Sequence, residues 1–245
     1  ATADPAYREW RDRKLATRAR DAGALLVEVR DPRALSHAER GALRRRIADC
    51  SMALYQCSRS DDDPALPRAI GVQLGLTRLD ANWLADEDGQ SRIEVGQPDP
   101  GRPRTDFIPY TDRAIGWHTD GYYQPARRRI RGMILHCVRP ARQGGDTALL
   151  DHELAYIALR DSSPEMVQAL MRPDALTIPP RMDTDGTARP ALVGPVFSVD
   201  EDGALHMRYT ARTRSIEWRD DDATRAAAAA LTRILAADGA VPRIE

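Results

Sequence analysis

The chain has 245 residues, which suffices for one sizeable hydrophobic core, so we expect a single domain over residues 1–245. The formal net charge of -1 excludes the general basic field that draws a protein onto nucleic acid or an anionic membrane, so the expected partner is a small molecule. Three cysteines without CxxC spacing indicate neither a disulfide framework nor a zinc site, and no apolar run is long enough to span a bilayer. These features predict a soluble cytoplasmic protein and leave the formation of a homo-oligomer open.

A strand followed by a helix is predicted near the N-terminus. Residues 24–29 form a short apolar run with β-branched side chains, which is typical of a strand. Ser36 and Glu39 then form a capping-box pattern, and apolar residues recur behind it at helical spacing. These apolar positions are Leu43, Ile47, Cys50 and Leu54. We therefore expect a helix from Ser36 whose apolar stripe lies on the core.

A long loop is predicted over residues 86–111. The segment is dense in Gly, Pro, Asp and Arg, and such a run cannot bury enough apolar surface to order itself strongly. It directly precedes the motif that carries the chemistry described below. We therefore interpret it as a candidate active-site lid, with a plain surface loop as the alternative.

The second half of the chain alternates predicted strands and helices. Strands at residues 130–138 and 147–150 are expected to be joined by a turn at Gly144 and Gly145. Further helices are predicted over residues 154–159, 165–171 and 223–236, and further strands over residues 195–199 and 205–210. Short strands with interposed helices favour an α+β protein built on a β-sandwich or barrel.

The sequence Trp-His-Thr-Asp-Gly at positions 117–121 contains a candidate metal site. His118 and Asp120 are two residues apart, and in an extended strand such residues point to the same face. An imidazole with a carboxylate begins the facial triad that holds non-haem iron(II). An ordinary surface pair of His and Asp is the alternative, so the surrounding sequence must decide between the two.

A second motif, Gln-Gly-Gly-Asp-Thr, occupies positions 143–147. Its two glycines permit a tight turn with positive φ, and the hydroxyl of Thr147 can donate to a carboxylate oxygen. Taken alone, the motif is as well explained by a hairpin turn. Thr147 follows His118 by 29 residues, and the two motifs at this spacing together favour a functional interpretation.

These two motifs and the apolar residues 133–138 between them resemble the taurine dioxygenase family of 2-oxoglutarate oxygenases, chiefly over residues 109–151. The resemblance implies a double-stranded β-helix (jelly-roll) core with flanking helices. It also implies that His118 and Asp120 bind iron(II) and that Thr147 contacts the carboxylate of 2-oxoglutarate. The implied reaction hydroxylates a small-molecule substrate with O2 and releases succinate and CO2.

The third iron ligand of this family is a second histidine far downstream, followed shortly by an arginine that pairs with 2-oxoglutarate. His152 is a poor candidate because it starts a predicted helix. His206 is followed by three arginines, Arg208, Arg212 and Arg214. However, His206 precedes the long helix that the family places before its second histidine. We therefore expect the ligating histidine, its arginine and the C-terminal strands of the core to lie beyond Glu245, with His206 as the alternative ligand.

Aromatic residues flank the candidate metal site. Tyr110, Trp117 and Tyr122 are interpreted as lining a substrate pocket, with a place in the core as the alternative. Two other functions remain open for the chain. The first is a non-catalytic relative of the same fold that lacks the third metal ligand and binds a small anion. The second is a metal-dependent hydrolase or isomerase, which the spacing of the second motif disfavours.

Overall fold

The structure, a computed structural model, describes residues 4–57, 63–80, 88–95, 107–182, 188–237 and 243–244. The helices in these ranges are α1 (Pro5–Thr17), α2 (His37–Cys50), α3 (Leu66–Leu74), α4 (His152–Ser162), α5 (Pro164–Leu170) and α6 (Asp222–Ala236). The strands are β1 (Leu26–Glu28), β2 (Leu54–Gln56), β3 (Leu149–Leu150), β4 (Leu176–Ile178), β5 (Arg181–Met182), β6 (Ala188–Arg189), β7 (Leu192–Gly194), β8 (Phe197–Val199), β9 (Leu205–Met207), β10 (Glu217–Trp218) and β11 (Arg243–Ile244). Of the candidate lid loop, residues 86–87 and 96–106 lie outside the described ranges.

Strands β1 and β2 pair in parallel, and α2 connects them. The helix predicted from Ser36 is confirmed, because Ser36 and Glu39 form both hydrogen bonds of a capping box. The placement of Leu54 on this helix was wrong. Ser51 adopts the left-handed conformation with φ 60°, which ends the helix, and Leu54 begins β2 opposite Leu26.

The main core lies between a layer of three helices and short antiparallel strands. Helices α4, α5 and α6 pack on one another and confirm the predicted helical segments. The side chains at the centre of this core are fully buried and include Leu159, Leu170, Leu231 and Phe197. None of the helices in the described ranges is long and apolar enough to cross a membrane.

The described strands form five small sheets that do not close into a barrel. The largest has the order β10-β4-β7 and is antiparallel throughout. The remaining pairs are β1 with β2, β3 with β11, β5 with β6, and β8 with β9. The described part of the chain is thus an α+β structure in which pairs of short strands carry the residues discussed below.

The strand predicted over residues 130–138 is absent from the described structure, so this prediction was wrong. Met133, Leu135 and Val138 expose 53%, 50% and 47% of their surface, and the segment pairs with no other strand. Gly144 and Gly145 do adopt positive φ of 63° and 80°, but the expected hairpin does not form. An apolar run becomes a strand only when its backbone N–H and C=O groups find a partner strand, and the described residues supply none here.

A buried ion-pair cluster joins α1 to the start of α4. Lys14 is 4% exposed, and its Nζ lies 2.7 Å from Asp151 Oδ2 and 2.5 Å from Glu153 Oε2. Burial lowers the pKa of Lys14, but the two carboxylates more than offset this and the net shift is upward. Asp151 also caps α4 and accepts a hydrogen bond from Ser51 Oγ at 3.0 Å. The cluster therefore ties the N-terminal helices to the helical layer.

Candidate active site

Residues 117–121, the metal motif, lie antiparallel to residues 209–211, directly on the core. His118 and Thr210 form a β-bridge. Thr119 N donates to Tyr209 O at 2.9 Å, and Ala211 N donates to Trp117 O at 2.7 Å. Because Tyr209 belongs to the main core and is 3% exposed, this pairing fixes the motif relative to the helical layer.

The side chains of His118 and Asp120 converge. His118 Nε2 lies 3.5 Å from Asp120 Oδ1, and the two side chains are 28% and 42% exposed, so a ligand can reach both. His118 Nδ1 lies 2.9 Å from the carbonyl oxygen of Gly116 and donates to it. Asp120 raises the pKa of His118, burial opposes this rise, and the Gly116 carbonyl adds to it. The ring is therefore held with Nε2 directed at the carboxylate.

These two donor atoms suit a shared divalent ion. Ligands that each lie about 2.1 Å from one ion at a right angle are about 3 Å apart, close to the observed separation of His118 Nε2 and Asp120 Oδ1. The Nδ1 hydrogen bond to Gly116 is the kind of contact that fixes the tautomer of a metal-binding imidazole. Within the described ranges, no group of three His, Cys, Asp or Glu side chains is arranged to hold a metal ion. The ligand roles of His118 and Asp120 stay a prediction.

A glycine turn follows Asp120 and sets its position. Gly121 adopts φ 65°, and its carbonyl accepts a hydrogen bond from Gln124 N at 2.8 Å. A Cβ atom at Gly121 would lie 2.5 Å from Ile130 Cγ1. Both the backbone conformation and the close approach of Ile130 therefore require glycine directly after the carboxylate.

All five histidines lie in the described part of the chain, and only His118 is at the motif. His37 is the first residue of α2, and His136 Nδ1 lies 2.6 Å from Tyr55 Oη. His152 Nε2 donates to Leu205 O at 2.9 Å. His206 lies on β9 opposite Ser198, four residues before the bridge at Thr210. The structure therefore does not bring the alternative ligand His206 to His118 and Asp120.

The three arginines that follow His206 do not lie together. The guanidinium of Arg208 is buried and donates to the backbone carbonyl oxygens of Leu176, Leu192, Gly194 and Pro195. Burial lowers its pKa to about 10, so it remains a cation at neutral pH. Arg208 thus lies in the core, whereas Arg212 is partly buried and Arg214 is exposed, both beside the metal motif.

Thr147 is exposed and lies two residues before β3, and in the described structure its hydroxyl has no hydrogen-bond partner. Its contact with 2-oxoglutarate stays a prediction. Tyr110 is buried, with 6% of its surface exposed, and its contact with a substrate stays a prediction. Trp117 and Tyr122 are partly buried against the main core, so both retain an exposed surface near the metal motif. Their contact with a substrate also stays a prediction.

Two further residues near the motif were missed by the sequence analysis. Arg189 lies over the ring of Tyr123, 5.1 Å from its centroid, and Tyr123 is three residues after Asp120. Burial raises the pKa of Tyr123, and the charge of Asp120 raises it further. Arg181 lies opposite Arg189 in the β5–β6 pair. No local pattern signals these arginines, because the pairing of two-residue strands brings them to the site.

Comparison with known proteins gives both a family match and individual relatives. Residues 65–244 match the family described as taurine catabolism dioxygenase TauD, TfdA family. A uridine-5'-phosphate dioxygenase from an Amycolatopsis species is 42% identical over 98 residues, which are 38% of this chain and 33% of the relative. A uridine-5'-phosphate dioxygenase from a Streptomyces species is 38% identical over 118 residues, which are 46% of this chain and 40% of the relative. The matched residues thus span well under half of either relative, and neither comparison supports a non-catalytic relative.

Proposed function

The chain belongs to the TauD/TfdA dioxygenase family, and from this premise we propose that it is an iron(II)- and 2-oxoglutarate-dependent dioxygenase that hydroxylates a small molecule and releases succinate and CO2. The observation that carries the proposal is the convergence of His118 Nε2 and Asp120 Oδ1 at 3.5 Å. The Nδ1 hydrogen bond to Gly116 supports it, because it leaves Nε2 free to bind a metal ion.

His118 and Asp120 would hold iron(II), which when bound supplies the oxidising chemistry with O2 and 2-oxoglutarate. The chain itself positions these ligands. Gly116 orients the imidazole, and the Gly121 turn sets the direction of the carboxylate. Trp117 and Tyr122 would restrict water and align the substrate, while Thr147 would bind a carboxylate of 2-oxoglutarate through its hydroxyl.

The proposal also covers the parts of the family architecture that the described residues do not form. We infer a jelly-roll core whose last strands and third iron ligand follow Glu245. Two observations support this inference. The described residues bring only two metal-binding side chains together, and the exposed apolar residues Met133, Leu135 and Val138 would be buried by added strands. Residues 86–111 remain a proposed lid.

The proposed substrate is a phosphorylated nucleoside. Both relatives are named for uridine-5'-phosphate, and over the matched segments they are 42% and 38% identical to this chain. Uridine 5'-monophosphate is therefore the first compound to test. Sulfonates, amino acids and betaines are the comparison substrates, because the family resemblance implies such small molecules.

The proposal is tested by supplying iron(II), 2-oxoglutarate, O2 and uridine 5'-monophosphate to the 245-residue chain and to any longer natural polypeptide that contains it. Succinate and the oxidised nucleotide are quantified by mass spectrometry. We expect both products in equal amounts from the longer polypeptide and little of either from the 245-residue chain. Activity should be lost in Asp120→Asn and kept in the matched surface variant Asp202→Asn. Succinate formation that persists in Asp120→Asn would refute the proposed site, and absence of succinate from every polypeptide with any substrate would refute the proposed reaction.

A further inference from the structure

Arginine side chains from separate segments of the chain meet beside the metal motif. Arg212 directly follows residues 209–211, which pair with the motif, and Arg214 lies in the short helical turn Thr213–Ser215. Arg181 and Arg189 face each other across β5 and β6. Arg113 lies five residues before His118 on the chain.

Cations from separate segments of the chain act on Arg212. The pKa of Arg212 is lowered first by burial and then by Arg214, and the charges of Arg181 and Arg113 lower it further. The charge of Tyr122 acts in the opposite direction. Arg212 therefore lies among three other cations, an arrangement that costs free energy unless an anion offsets the repulsion.

Four of these arginines have no carboxylate partner within the described structure. In the described ranges, no Asp or Glu lies within ion-pair distance of Arg113, Arg189, Arg212 or Arg214. Arginines elsewhere in the protein do have such partners. Examples are Arg128 with Asp80, Arg160 with Asp4, and Arg219 with both Asp174 and Asp221. These four arginines thus differ from the paired arginines elsewhere on the surface of this protein.

The cluster extends to the metal motif through Tyr123. The guanidinium of Arg189 stacks on the Tyr123 ring, and Tyr123 is close enough to Asp120 for the carboxylate to raise its pKa. Arg189 Nε is buried, and among the described residues it has no hydrogen-bond partner. A buried N–H without an acceptor is costly, so an anion that accepts from Arg189 would be stabilised by it.

We propose that Arg189 and Arg212 bind the phosphate group of the substrate, a phosphomonoester, and thereby place the rest of the substrate over His118 and Asp120. Arg113, Arg181 and Arg214 add positive charge at the edge of this phosphate site. The planar guanidinium donates two parallel hydrogen bonds to phosphate oxygens, so several of them can surround one phosphate dianion. This inference rests on the proposed function, because it assumes that the substrate binds beside the metal motif.

The test measures binding without iron. Calorimetry gives the dissociation constants of uridine 5'-monophosphate, uridine, inorganic phosphate and 2-oxoglutarate for the wild type, Arg212→Gln, Arg189→Gln and the control Arg45→Gln. Arg45→Gln removes the same charge from the exposed face of α2, away from the cluster. Loss of one charged hydrogen-bond donor should raise the dissociation constant for the nucleotide about tenfold to a hundredfold. Uridine should bind weakly and equally to all four proteins, and inorganic phosphate should displace the nucleotide from the wild type.

Circular dichroism and thermal melts establish that each variant is folded. The proposal is overturned if the wild type does not prefer the nucleotide to uridine, or if folded Arg212→Gln and Arg189→Gln bind the nucleotide as the control does. It is also overturned if these variants lose 2-oxoglutarate affinity instead, because the cluster would then hold the cosubstrate. Arginine-dependent nucleotide binding without any succinate formation would support this site and refute the proposed reaction. Succinate formation that is unaffected by the arginine substitutions would support the proposed reaction and refute this phosphate site.

Discussion

His118 Nδ1 lies 2.9 Å from the carbonyl oxygen of Gly116, and this contact directs Nε2 of the same ring towards Asp120. The arrangement separates two tasks on one imidazole. One nitrogen is used to orient the ring, and the other is available to a metal ion. Both the backbone of Gly116 and the carboxylate of Asp120 therefore belong to the same small site.

The first prediction concerns the two ligands. We expect His118→Gln and Asp120→Asn each to weaken iron(II) binding by at least about tenfold, since each removes one ligand from a metal site that has few protein ligands. Anaerobic titration with iron(II), or with cobalt(II) as a spectroscopic probe, measures the effect. His37→Gln is the matched control because this histidine lies at the start of α2, away from the motif. Unchanged metal affinity in both site variants would contradict the assignment.

The second prediction concerns the third ligand. We expect the 245-residue chain to bind iron(II) weakly and His206→Ala to leave that affinity unchanged. His206 is four residues from the bridge at Thr210, which corresponds to about 13 Å along an extended strand and is too far for a shared ion. The same titration on a longer natural polypeptide should show tighter binding. If His206→Ala abolished binding, His206 would be the third ligand and the expected C-terminal ligand would be unnecessary.

The third prediction concerns the turn after Asp120. Gly121→Ala should lower the free energy of unfolding and weaken metal binding, because the new Cβ would meet Ile130 Cγ1 at 2.5 Å in a backbone with positive φ. Gly203→Ala is the matched control, since Gly203 also has positive φ but nothing lies within 4 Å of the added atom. The control should show only the backbone cost of about 1–2 kcal/mol and no change in metal affinity. Urea denaturation and metal titration of both variants separate steric from backbone effects, and equal behaviour would contradict the role of Ile130.

Local signals in the sequence predicted much of the helical structure. The Ser36 and Glu39 capping box starts α2 as expected, and Asp221 caps α6 two residues before the predicted start at residue 223. Such signals work because the interacting atoms are only a few residues apart. The two-residue spacing of His118 and Asp120 is equally local, and their side chains do converge.

Features that depend on distant partners could not be predicted in this way. The strand expected over residues 130–138 needs a neighbouring strand that the described residues do not supply. Arg181 and Arg189 reach the site only because β5 pairs with β6, and no periodic pattern marks either strand. Arg208 shows that a local pattern can also mislead. It follows His206 as a cosubstrate arginine would, yet its guanidinium donates to four backbone carbonyl oxygens in the core.

The fourth prediction concerns the only lysine of the chain. Lys14→Met should lower the free energy of unfolding by about 3–5 kcal/mol, because it leaves the buried carboxylate of Asp151 without its cation. Arg11→Met is the control, since Arg11 pairs with Asp161 in a more exposed position and should contribute at most about 1 kcal/mol. Urea denaturation measures both variants. Equal effects at the two positions would show that the Lys14 cluster is not a major source of stability.

The last prediction uses His206, whose pKa is lowered to about 4 by burial, by the positive charge of Arg129 and by His152. Arg131 acts in the same direction, and only Asp200 opposes it. The folded protein therefore keeps this ring neutral at a pH where the unfolded chain, with a pKa near 6.5, already binds a proton. The stability that follows from the neutral ring is complete above about pH 6.5 and is lost progressively as the pH falls towards 4.

His206→Gln should consequently flatten the pH dependence of the free energy of unfolding between pH 6.5 and 4. The slope removed is at most about 1.4 kcal/mol per pH unit and is reduced by solvent, because the ring is only partly buried. Urea denaturation at half-unit pH steps measures this slope, and His37→Gln supplies the same substitution at an exposed position. A wild-type slope in His206→Gln would show that other groups control the acid sensitivity. A steeper slope would mean that the ring is protonated in the folded protein, with Asp200 outweighing the two arginines.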